Sequence, residues 1–164
     1  MPKTIVGVMG VGEQATPQEI QTAYELGQRI AQAGWIVLSG GRNVGVMDAV
    51  SRGAKSVGGM TIGILPHVDS EVSEAIDIPI ITDMGNARNN INVLSSHAIV
   101  ACGIGAGTVS EIALAIKAKK HVILLTENRE AQEFLRSLNP ELVSLAGNVE
   151  IALNQLKVIL TTQE

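Results

Sequence analysis

The stretch Ala101-Cys102-Gly103-Ile104-Gly105-Ala106-Gly107-Thr108 carries the strongest chemical signal in the sequence. Its glycines lie between an apolar run and a segment of helical period. Glycines let the backbone bend around an anion. The first turn of a helix supplies N–H groups without internal partners, together with a partial positive charge. Thr108 adds a hydroxyl. These residue types predict a site for phosphate, or a phosphate-like oxyanion, at Gly103, Gly105, Ala106, Gly107 and Thr108. The competing reading is a tight turn that packs a helix on a sheet and binds nothing.

Other candidates recur at similar places. Gly10 and Gly12 follow the first apolar run, Gly40 and Gly41 the second, and Gly85 precedes a helical segment. Arg88 follows Asn86 at the start of that segment, where a guanidinium near the glycine loop would grip an anion bidentately; pairing with Asp83 is the alternative. Arg42, after Gly40-Gly41, has the same logic. Glu111 is placed to act as a general acid or base or to accept a ligand hydroxyl, although Thr108-x-x-Glu111 is also a capping-box pattern.

Several chemistries lack their residues. The glycine loop has no Lys-Ser or Lys-Thr of a Walker loop, and Gly10-Val11-Gly12 has no third glycine at dinucleotide-fingerprint spacing. His67, His97 and His121 show no metal-ligand spacing, so no metal site is expected. Cys102 has no partner cysteine and reads as a small buried residue, with contact to a ligand as a minor alternative. Lys117, Lys119 and Lys120 suit a helix C-terminus.

These residues must be positioned by alternating strands and helices. Short β-branched apolar runs at 4–8, 36–39, 61–64, 78–81, 98–101 and 122–125, with a weaker one at 142–145, do not alternate polar with apolar. They read as strands buried on both faces of a parallel sheet. Thr16, Pro17 and Glu19 form a helix start, and Gly34 a stop. Further helices are expected at 45–57, 87–96, 108–119 and 129–138, and after Asn148. Residues 1–164 therefore read as one domain of the α/β class, a doubly wound, mostly parallel, Rossmann-like sheet with helices on both faces. Ligands of such folds bind at the carboxyl ends of the strands, where the glycine clusters fall.

Composition limits the partners. The chain has 164 residues, is 46% hydrophobic and 17% charged, and carries a formal charge of -4, which argues against a general nucleic-acid binder. A single cysteine, no signal-peptide pattern and no long apolar run lead us to expect a cytoplasmic protein without a membrane segment.

Over roughly 4–125 the sequence resembles the Lonely Guy (LOG) cytokinin-activating phosphoribohydrolases. The resemblance is carried by Gly40-Gly41-Arg42-Asn43-Val44-Gly45-Val46-Met47, by 58–66, by 84–89 and by Gly107-Thr108-Val109-Ser110-Glu111. It implies that Arg88 and Glu111 occupy the catalytic positions of a nucleoside 5′-monophosphate N-glycosidase. Asn89 stands where those enzymes have lysine, and Gly103-Ile104 replaces the proline and first glycine of their P-G-G. These departures, with 83–92 and 103–108, resemble the molybdenum-cofactor carrier proteins of algae and bacteria, a sister group. That resemblance implies cofactor storage without chemistry. Gly105, Gly107 and Thr108 would hold the phosphate, Arg42 and Arg88 would add charge, and Glu111 would orient a polar group. It also implies a homo-oligomer, dimer or tetramer. A sensor of a nucleotide-derived signal is a third reading.

Overall fold

Each apolar run becomes a strand because helices cover the sheet on both sides. The computed structural model describes residues 2–162. The strands are β1 (Ile5–Gly10), β2 (Ile36–Ser39), β3 (Thr61–Leu65), β4 (Ile78–Ile81), β5 (Ala98–Cys102), β6 (Val122–Leu125) and β7 (Val143–Leu145). The helices are α1 (Pro17–Gln32), α2 (Gly45–Ser56), α3 (Arg88–Leu94), α4 (Ala106–Lys117), α5 (Arg129–Leu138) and α6 (Val149–Thr161), with a 3-10 turn at Gly85–Ala87 before α3. The pairings between these strands are all parallel, in the order β4-β3-β2-β1-β5-β6-β7. The chain moves outward from β1 to β4, returns to the centre and moves outward again from β5, so strand order reverses between β1 and β5.

Successive strand residues point to opposite faces. Val6 and Val8 of β1, with Val100 of β5, join α1, α2 and α6 in one apolar layer. Met9, Ile99 and Ala101 join α3, α4 and α5 in the other. This is the expected doubly wound architecture, and the weak run at 142–145 is the seventh strand.

β4 departs from the expectation of burial on both faces: all four of its residues are exposed. It is an edge strand, its connection from β3 contains no helix to cover it, and Pro79, which has no N–H to give, is tolerated at an edge.

Local capping explains three helix starts. Thr16 accepts from the Glu19 N–H at 3.2 Å, and the Glu19 carboxylate accepts from the Thr16 N–H at 2.9 Å, which completes the expected capping box. Asn128 and Asn148 cap α5 and α6. The fourth helix begins earlier than its sequence suggests. Its N-cap is Gly105, so Thr108 is a residue of the first turn and Thr108-x-x-Glu111 is not a capping box.

The α1–α2 pair sets the position of the loops above it and is held by two glycines. A methyl group on Gly27 would collide with the Val50 carbonyl, and one on Gly53 with the Tyr24 carbonyl. Gly27→Ala is expected to lower unfolding free energy by about 2 kcal/mol or more. Urea denaturation monitored through Trp35 would check this; an unchanged midpoint would mean that the helices separate at no cost.

Candidate functional site

The reversal of strand order opens a cleft over the carboxyl ends of β1 and β5. A cavity of about 320 Å³ lies there, within the size range of small-molecule sites. Its walls come from four segments: the end of β1 with the loop to α1, the β2–α2 loop with the first turn of α2, the 3-10 turn with the start of α3, and the first two turns of α4.

The α4 wall is bare backbone. Gly105 provides no side-chain cap, and the first helical hydrogen bond runs from the Val109 N–H to the Gly105 carbonyl at 2.9 Å. The N–H groups of Ala106, Gly107 and Thr108 precede that bond, so helix geometry gives them no acceptor within α4. The Thr108 hydroxyl is buried without a partner.

The glycines divide into two groups when a Cβ is considered at each. At Gly107 it would meet nothing within 4 Å; at Gly105 the nearest atoms are 3.8 and 3.9 Å away, and at Gly12 they are 3.7 Å away. These three leave open space along the cavity. At Gly10, by contrast, it would collide with the Cys102 carbonyl, so Gly10 lines the cavity but is also required by β1–β5 packing. At Gly40 a Cβ would collide with Met47 Sδ at 2.6 Å and crowd the Arg88 guanidinium, whose nitrogens lie 3.1 and 3.3 Å away, so Gly40 leaves room for both.

Two expected site residues do not line the cavity. Gly41 and Gly103 have φ of +74° and +76°, a left-handed conformation that glycine adopts at little cost. A Cβ would press Gly41 against the Gly63 backbone at 2.8 Å and drive Gly103 into the Glu19 carboxylate. Both serve the turns that carry the site.

Arg88 is the first residue of α3 and lines the cavity rather than pairing with Asp83. One guanidinium nitrogen donates to Asn89 Oδ1 at 3.1 Å, while Nε is buried without a partner. Burial pulls its pKa down, the Glu111 charge opposes this, and Arg42 adds to it. No carboxylate forms a salt bridge with Arg88 among the described residues. Arg42 also lines the cavity but is already paired, with Glu13 at 2.6 Å. Asn86, in the 3-10 turn, completes this side.

Glu111 lies in the second turn of α4 and is 7% exposed. Asn92 donates from Nδ2 to its Oε1 at 2.8 Å. Burial pushes the Glu111 carboxyl up to about 7, against the opposing effects of Asn92 and the Arg88 charge. A carboxyl near neutrality in a cavity is equipped to exchange a proton.

The structure brings together Gly10, Gly12, Gly40, Arg42, Asn86, Arg88, Gly105, Ala106, Gly107, Thr108 and Glu111. Met9, Met47, Glu13, Gln14 and Asn89 line the cavity as well but were not among the expected ligand contacts. The methionines read as ordinary core residues; only the spacing Gly40-Gly41-x-x-x-Gly45-x-Met47 marked one of them. Cys102 is fully buried outside the lining, its thiol pushed up to about 12 by burial, so the minor reading of it as a ligand contact has no support. His97 accepts from the Ile5 N–H at 3.0 Å. The Lys120 ammonium donates to the Leu94 carbonyl at 2.9 Å and to that of Ser96, at the end of α3.

A family model, the SLOG cluster4 family, matches residues 3–153. The chain belongs to this family. The structure of a molybdenum cofactor binding protein from the phototrophic bacterium Rippkaea orientalis is 54% identical; the match covers 98% of this chain and 99% of that one at a TM-score of 0.96. The molybdenum cofactor carrier protein of Chlamydomonas reinhardtii is 49% identical, with the same coverage of both chains and a TM-score of 0.94. A cytokinin riboside 5′-monophosphate phosphoribohydrolase of Mycobacterium tuberculosis is 34% identical over 96 residues, 57% of this chain and 51% of that protein. Both resemblances seen in the sequence thus have counterparts among known proteins, the carrier proteins over nearly the whole chain and the hydrolase over about half its own length. Among the described residues no helix is long and apolar enough to cross a membrane.

Between pH 4.5 and about 7 the folded protein keeps a proton on Glu111 that the unfolded chain has released. Its raised pKa therefore makes stability fall as pH rises through that window, by up to about 3 kcal/mol for the full shift. Glu111→Gln is expected to raise the denaturation midpoint near pH 8 and to flatten the pH dependence; a midpoint lower than wild type near pH 8 would contradict this origin.

Proposed function

We propose that this chain, acting as a single domain, binds molybdenum cofactor as cargo and protects it without chemical turnover. The observation that carries the reading is the full-length match, at about half identity, to two proteins described as binding or carrying that cofactor. The cavity chemistry supports it. The cofactor carries a phosphate, for which the free N–H groups of Ala106, Gly107 and Thr108, the orphaned Thr108 hydroxyl and Arg88 are suitable donors. Arg42, Asn86 and Asn89 add donors for further oxygen or nitrogen atoms of the ligand. Met9 and Met47 provide a polarizable apolar wall for a flat ring. Gly10 and Gly12 bring backbone close to the ligand, Gly40 admits Arg88, and Gly41 and Gly103 contribute only by shaping turns.

Such a carrier works by exclusion and retention. In this reading the cavity walls cover part of the cargo, and their donors retain its anionic groups. Its partner is a phosphate-bearing small molecule in the cytoplasm, with neither nucleic acid nor membrane required. The exposed apolar residues Ile78, Ile80 and Ile81 on the β4 edge support assembly into a homodimer or higher homo-oligomer.

One observation favours a second reading. Glu111 beside Arg88, with a pKa near neutrality, has the makings of a general acid for N-glycosidic cleavage of a nucleoside 5′-monophosphate. The carrier reading predicts no base released from adenosine 5′-monophosphate or its N6-isopentenyl derivative. Sustained turnover abolished by Glu111→Ala would replace it with the hydrolase.

Retention tests the carrier directly. Wild-type protein is expected to hold molybdenum cofactor through gel filtration and pass it to an apo-molybdoenzyme. Gly107→Val fills open space at the α4 start, so binding should weaken about tenfold or more while the thermal midpoint stays within a few degrees. Equal loss of folding and binding would make the loop merely structural.

A further inference from the structure

A polar seam between α3 and α4 runs directly behind the cavity. Asn89 Nδ2 donates to Ser110 Oγ at 2.8 Å, and one turn further along α3 Asn92 Nδ2 donates to Glu111 Oε1 at the same distance. Asn92 is fully buried, and its Oδ1 has no partner. Paired acceptors would be costly at such a place. An amide suits it, because one side chain offers both a donor and an acceptor.

Glu111 shares the cavity wall with three other charged residues. Arg88 comes from the start of α3, Arg42 from the β2–α2 loop and Glu13 from the β1–α1 loop. Arg42 and Glu13 pair with each other, which leaves Arg88 as the cation that supports an ionised Glu111. From α4 itself the neighbour facing the cavity is the neutral Thr108, and from α3, behind the cavity wall, the neutral Asn92 donates to the Glu111 carboxylate. An anion seated at the α4 start engages Arg88 and adds negative charge about one helical turn, roughly 5 Å, from Glu111. Both changes disfavour the carboxylate.

We propose that anion capture in this cavity is coupled to uptake of one proton by Glu111, and that Asn92 is the positioning residue that holds the Glu111 side chain in both protonation states. It rests on the anion cradle proposed above and adds its regulation. The proton passes from buffer to a Glu111 carboxylate oxygen, forming an O–H bond with no electron transfer. Asn92 then exchanges roles. It donates from Nδ2 to the carboxylate, and after a half-turn of its amide accepts at Oδ1 from the carboxylic acid. Cargo binding is thereby favoured on the acid side of neutrality and release on the alkaline side.

Molybdate is a suitable probe because it carries no proton of its own near neutral pH. Calorimetric titration of the wild-type protein with molybdate near pH 8, in two buffers of different ionisation enthalpy, is expected to show uptake approaching one proton per anion. Uptake should vanish near pH 5.5, where Glu111 is already protonated. Glu111→Gln should bind molybdate more tightly than wild type near pH 8, with no proton uptake. Asn92→Leu removes the Nδ2 donor that favours the carboxylate, so the break in the affinity–pH profile should move to higher pH. Molybdate binding to the wild type near pH 8 without proton exchange, or uptake persisting in Glu111→Gln, would overturn the coupling while leaving the cradle intact. Failure of the wild type to bind molybdate at millimolar concentration would reject the cradle, and the coupling with it. Should Asn92→Leu fail to fold, Glu111→Gln alone decides the coupling.

Discussion

The site depends on concentrated positive potential that the protein leaves largely uncompensated. The start of α4 presents N–H groups that no side chain caps, and Arg88 is drawn out of bulk water beside them. Half-burying a guanidinium without a salt bridge is unfavourable, and a buried, orphaned Nε adds to the cost. Three other helices of this fold are closed by Thr16, Asn128 and Asn148. An anionic ligand would serve α4 as those side chains serve their helices. The buried counter-charge beside it, Glu111, is itself pushed toward neutrality by burial. The arrangement stores electrostatic attraction for a guest.

The fold creates this potential by where it places its loops. Reversal of strand order between β1 and β5 keeps the β1–α1 and β5–α4 connections apart, leaving a crevice that no crossover fills. Close packing beneath it depends on small residues. Gly27 and Gly53 bring α1 and α2 together, Gly10 brings β1 against β5, and Gly40 admits Arg88. The same residue type therefore has two uses: glycines whose missing Cβ prevents a collision build the walls, and glycines whose missing Cβ leaves nothing nearby keep the cavity empty.

Much of this was legible in the sequence, for identifiable reasons. The strands were marked by continuous apolar runs because nearly all are covered on both sides. β4 has the same kind of run, so its exposure at the edge was invisible to local pattern; it depends on the absence of a helix after β3. α4 starts at Ala106 although Thr108 is the better capping residue, because the end of β5 and the turn at Gly103 set its start rather than local propensity. The glycine loops and Arg88 pointed to the strand ends over which the cavity lies. What sequence spacing lacks is backbone dihedral and neighbour distance. Those alone separate Gly41 and Gly103, which make turns, from Gly105 and Gly107, which line the cavity. Met47 and Glu13 were missed because a methionine at helical spacing reads as core and a loop glutamate as solvated surface.

The most direct test of the account is a crystal structure of the protein bound to molybdenum cofactor. The account predicts the phosphate on the N–H groups of Ala106, Gly107 and Thr108, with the Arg88 guanidinium in contact with the ligand. A cofactor bound elsewhere, or one held in this cleft with Arg88 turned away into solvent, would contradict it.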